Sequence, residues 1–108
     1  DHRQYNGVLA GAEGEVRVRN FEIVGENPVP PKGETFRIRE TQNGLLTPGR
    51  CSTLSRRRDN VHDVRAGGEG ARLFDIFTYF DPAAGSHSME VGERPLDPDL
   101  KIYEAAWK

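Results

Sequence analysis

The chain has 108 residues, enough for one domain with one modest core. Lys and Arg number 15 against 17 Asp and Glu, and the net charge of −2 is not the basic footprint of a nucleic-acid binder. No apolar run approaches the roughly 20 residues of a membrane helix, and a single cysteine, Cys51, excludes both an internal disulfide and a thiolate metal cluster. A lone cysteine suits a reducing compartment, so a cytoplasmic location is expected.

Taken in order, the predicted elements are short and β-like. Residues 5–10 suit a first strand, and Gly11-Ala12-Glu13-Gly14 reads as a tight turn. Residues 15–23 alternate polar and apolar, the period of a strand with one buried face. Residues 25–33 hold Pro28, Pro30 and Pro31 and read as a loop. Phe36-Arg37-Ile38-Arg39 alternates again, and Asn43-Gly44 signals a turn before Leu45-Leu46. Thr47-Pro48-Gly49 is a further turn, with strands at residues 51–54 and 61–64 beyond it. Gly67-Gly68-Glu69-Gly70 reads as flexible. Residues 73–80 are the most apolar run and are expected to form a central, largely buried strand, and residues 102–107 a last one. No segment sustains a 3.6-residue period, so the pattern predicts an all-β sandwich or small barrel.

Two histidines stand in strand-like sequence, His2 near the start and His62 in Asn60-Val61-His62. A metal held inside a β-barrel needs ligands distant in sequence and close in space, and two histidines call for a third ligand. The chain starts so near His2 that this ligand is expected just upstream of residue 1.

In the order His2, Gly7, His62, Asp75, the chain resembles the thiol dioxygenases of the cupin superfamily, of the cysteamine and plant cysteine oxidase type. Their first signature, His-Asp-His followed by a turn, Gly and a valine-rich strand, is matched from its second letter by Asp1-His2-Arg3-Gln4-Tyr5-Asn6-Gly7 and Gly14-Glu15-Val16-Arg17-Val18. Their second, an Asn two positions before the third histidine, is matched by Asn60-Val61-His62, with Cys51-Ser52-Thr53-Leu54 like the strand leading into it. A third resembles Phe74-Asp75-Ile76-Phe77 with Asp81-Pro82-Ala83-Ala84-Gly85, and the likeness ends at about Gly85.

The resemblance implies a cupin-like double-stranded β-helix (jelly-roll) barrel, one domain over residues 1–108 lacking its first strand or strands. It implies a mononuclear non-haem Fe(II) centre, held by His2, His62 and a histidine directly before Asp1. The reaction it implies adds dioxygen to a small thiol and gives a sulfinate. A histidine before Asp1 would project beside His2, because residues i and i+2 of a strand share a face. The carboxylate that ordinary cupins add four or five positions after the second histidine is replaced by Asn6 and Gly7. Three neutral imidazoles leave the metal's charge uncompensated, which favours a thiolate. Imidazoles also suit zinc, copper and nickel, so iron comes from the resemblance. Asp75 aligns with an acid near the substrate, and Tyr5 and Tyr79 carry hydroxyls able to orient substrate or oxygen.

The family's tyrosine before the Asp-Pro turn is Phe80 here, its later cysteine is Ser88, and Pro-Gly-Met after the second histidine is Arg3-Gln4-Tyr5. These departures bear on substrate preference. With the third histidine outside the 108 residues, weak or no activity is expected of this stretch alone. The expected partners are a small thiol and dioxygen, with no nucleic acid and no membrane, and the expected state is a monomer. A cupin module that binds a small polar ligand is the second reading, and a structural β-domain with incidental histidines the third. Plainer roles are open residue by residue: a terminal position for His2, a strand end for His62, core packing for Tyr5 and Tyr79, and an Arg72 contact for Asp75. His87 is expected in a solvated turn, Arg56 to Arg58 in a solvated loop, and Cys51 buried and inert.

Overall fold

Alternating charged and apolar residues drive the longest strand. Arg17 and Arg19 take one face while Val16 and Val18 are buried on the other. The computed structural model describes residues 6–25, 31–55, 58, 61–78 and 87–108, and these contain strands and no helix. The strands are β1 (Gly7–Ile23), β2 (Thr35–Leu46), β3 (Cys51–Leu54), β4 (Val61–Phe77), β5 (Met89–Val91) and β6 (Ile102–Trp107).

All pairings are antiparallel and form a single 6-stranded sheet, ordered β3-β1-β2-β6-β5, with β4 on β1. One edge of β1 carries β4, from Gly7 opposite Phe77 to Phe21 opposite Val61. The other edge carries β3 over residues 7–10 and β2 over residues 16–23. The sheet bends over itself between these halves, because Leu9 from the first half packs in one cluster with Val16, Val18 and Leu46 from the second. A second cluster holds Phe21, Phe36, Ile38, Val61 and Ala105, backed by Tyr103 and Trp107. Phe21 meets Tyr103 edge-on with ring centres 6.0 Å apart, a favoured aromatic geometry. Among the described residues the sheet does not close into a barrel.

Several expectations change. The glycines at 11 and 14 do not make a hairpin; β1 runs straight through them. A Cβ on Gly11 would lie 2.5 Å from the Thr47 carbonyl oxygen, and one on Gly14 would strike the Gly70 carbonyl. Gly14 also has φ 71°, so these glycines admit close backbone and a bulge rather than a reversal. Residues 67–70 belong to β4 and bulge out opposite Glu15, making one strand of the two expected at 61–64 and 73–80. Asn43-Gly44 lies inside β2, with Gly44 paired to Val18.

The apolar run after Arg72 is not buried at the centre. β4 pairs with β1 alone among the described residues, and Phe74 and Ile76 are 65% and 58% exposed. Cys51 is exposed, because alternation along β3 sends Ser52 and Leu54 inward instead. Strands β3 and β6 fall where the sequence predicts them, while β5 had no sequence signal.

Candidate functional site

An open cleft of about 550 Å³ lies where the start of β4 faces β5 and the end of the chain. His62 and Arg65 from β4, His87, Glu90 and Val91 from the β5 side, and Lys108 line it, with Phe21 beneath. The long β1–β4 pairing fixes His62, setting it directly across from Asn20.

The charges in the cleft are matched in pairs. Arg65 Nε donates to Asp63 Oδ2 at 3.0 Å, and Lys108 Nζ lies 3.3 Å from Glu90 Oε1. Behind them Arg19 Nε donates to Glu40 Oε2 at 2.7 Å. The Arg19 guanidinium also lies 4.8 Å from the Phe21 ring centre and 4.9 Å from that of Tyr103. The cation thus sits beside both rings of the edge-to-face pair, a favourable cation–π arrangement.

Asn20 is only 1% exposed. Its Nδ2 donates to Ser52 Oγ at 3.1 Å, the Thr53 carbonyl at 3.2 Å and Gln42 Oε1 at 3.2 Å. Buried carboxamides are tolerated when hydrogen-bonded in this way, and this one ties both halves of the folded sheet together.

The predicted site residues divide. His62 lies in the cleft wall, with its Nδ1 buried. His2, Tyr5, Tyr79 and Asn60 lie outside the described residues. Asp75 sits far along β4, paired with Leu9, and does not line the cleft with His62. Alternation puts it on the same face as Leu73 and Leu9, yet it stays exposed overall. Partial burial pushes its carboxyl above the ordinary 3.8. Arg72, the partner considered for Asp75, instead pairs with Glu13 at 3.3 Å.

The chain matches no protein-family model and no curated protein. Among the described residues, no three of His, Cys, Asp and Glu converge as a metal site. His62 remains suited in kind to such a site: an imidazole on a strand that borders the cleft, with its Nδ1 buried.

Two residues of this region escaped the sequence reading. His87 is exposed, as expected of a solvated residue, and also lines the cleft, with its ring centre 5.3 Å from that of Trp107. Asn20 carried a readable signal: it continues the buried parity of Val16 and Val18 with a residue type depleted in strands. The position of His87 had no such signal, since it depends on β5 docking on β6.

Proposed function

We propose that the chain is the core of a mononuclear non-haem Fe(II) thiol dioxygenase with a cupin-like jelly-roll fold, acting as a cytoplasmic monomer on a small thiol. The observation that carries this reading is the position of His62, an imidazole on a rigid strand in the wall of an open cleft. The order of His2, Gly7, His62 and Asp75 supports it from the sequence side.

His62 and His2 would hold the metal, with the third histidine of the resemblance directly before Asp1. Held there, the ion would supply a positive charge that favours the thiolate form of the substrate and the redox capacity for dioxygen chemistry. In the net reaction both oxygen atoms join sulfur. Sulfur is oxidised, dioxygen is reduced, the thiol proton leaves to solvent, and no external reductant is consumed.

The chain's own residues position and shield. Val61, Met89 and Val91 add apolar groups to an open cleft that is otherwise lined by charged and polar residues. Asp75 and Tyr5 would place the substrate, Asp75 by holding an amine and Tyr5 through its hydroxyl. Asp75 lies on the Leu9 face rather than in the cleft wall, so the reading rests on His62 and not on Asp75.

A cupin module that binds a small polar ligand without oxygenation is the second reading. The Asp63–Arg65 and Glu90–Lys108 pairs favour it, since they offer both charge signs to a polar molecule. Equilibrium dialysis of the parent chain, extended upstream of Asp1, against Fe(II) separates the two. One iron per chain, with affinity lowered at least tenfold by His62→Ala, supports the oxygenase. No bound iron supports the binding module.

A further inference from the structure

Asn20 is buried, and only half of its carboxamide is accounted for. The Nδ2 donates to Gln42, Ser52 and the Thr53 carbonyl. The Thr53 carbonyl can only accept, so the amide cannot be turned over without setting two acceptors against each other. Every Nδ2 partner lies on β2 or β3, along one edge of β1. The Oδ1 is therefore left for the other edge, which β4 occupies. That oxygen is buried and accepts no hydrogen bond in the structure. The β4 residue directly across from Asn20 is His62, on the same face of the sheet.

A buried carbonyl oxygen left without a donor is destabilising, so a donor within reach is drawn to it. Metal-binding histidines commonly donate their second ring N–H to an oxygen, which fixes the tautomer and the ring plane. We propose that Asn20 is the positioning residue for His62: its Oδ1 accepts the Nδ1–H of His62, which makes Nε2 the lone-pair nitrogen of the ring. Oδ1 and the His62 Nδ1 are both buried, and the bond forms by turning the imidazole toward Oδ1 while the amide stays fixed by β2 and β3. The consequence for a metal at Nε2 rests on the oxygenase reading; the tautomer itself does not.

Long-range 1H–15N correlation NMR of the metal-free, 15N-labelled chain, above the pH at which His62 is protonated, reads the tautomer directly. Expected is a His62 carrying its proton on Nδ1, the minor form of free histidine. In Asn20→Leu the ratio of Nδ1–H to Nε2–H should fall about tenfold, the size of one net hydrogen bond. Ser52→Ala removes an Nδ2 partner and spares Oδ1, so it should lower stability and keep the Nδ1–H tautomer. A His62 protonated on Nε2 in the unmodified chain overturns the proposal even if Asn20→Leu fails to fold. Equal tautomer loss in Ser52→Ala and Asn20→Leu also overturns it, by reducing Asn20 to a packing role. Fe(II) dialysis reports separately: an Nδ1–H tautomer without iron binding upholds Asn20 and removes the oxygenase.

Discussion

Asp75 and Cys51 show how little a single residue's type decides. Both stand in strands, and the sequence reading buried each. The alternation of β3 turns Cys51 outward, and the open edge of β4 leaves Asp75 half in water. The carboxyl of Asp75 is still pushed above 3.8 by partial burial, so the folded chain holds that proton longer than the unfolded chain. The resulting contribution to stability is complete below the unfolded pKa and is lost as pH rises through the higher folded pKa. Asp75→Asn should therefore make the chain more stable at pH 7, by less than about 1 kcal/mol because the site is solvated. Urea unfolding at pH 3 and pH 7 checks this. A variant less stable than the parent at pH 7 would show that the carboxylate has a favourable partner instead.

At the scale of elements, the glycines decide continuity. Gly14 sits at positive φ against the Gly70 carbonyl, whereas a Cβ on Gly44 would meet nothing within 4 Å. Gly14→Ala should destabilise by about 2 kcal/mol or more, through backbone strain and a clash. Gly44→Ala should be neutral or stabilising by about 0.5 kcal/mol, through a stiffer unfolded chain. Thermal unfolding of the two variants side by side tests the claim, and equal losses would show that β1 does not run through Gly14 as described. The same glycines explain what was legible in the sequence. Alternation at 15–23 and 36–39 was readable because it is a local property of each strand. Whether a glycine ends a strand or bulges within it depends on what packs beside it, here Thr47 and Gly70, and neither neighbour can be read locally. The candidate site follows the same divide: type and spacing single out His62, while its position across from Asn20 and the place of His87 beside Trp107 come only from how the strands pair.

The described residues form a folded-over sheet in which one half is well packed and the other more exposed. The cluster around Phe21 gathers side chains from β1, β2, β4 and β6, whereas Phe74 and Ile76 project outward from β4. Phe21→Ala should cost about 3–5 kcal/mol, the usual range for a large aromatic in a packed core. Phe74→Ala should stay within about 0.5 kcal/mol, as surface changes do. Denaturant midpoints of the two variants decide the matter, and a large loss at Phe74 would mean that something covers that face in solution. The cleft lies against the well-packed half, with Phe21 as its floor, which is where a rigid metal-holding strand would be best supported. The most direct test of the proposed function is dioxygen uptake by the parent chain, extended upstream of Asp1 and loaded anaerobically with Fe(II), across a panel of small thiols. Thiol-dependent uptake with one sulfinate formed per dioxygen, abolished by His62→Ala, is the expected result. Iron bound at His62 without uptake for any thiol would contradict the oxygenase and leave a metal- or ligand-binding β-domain.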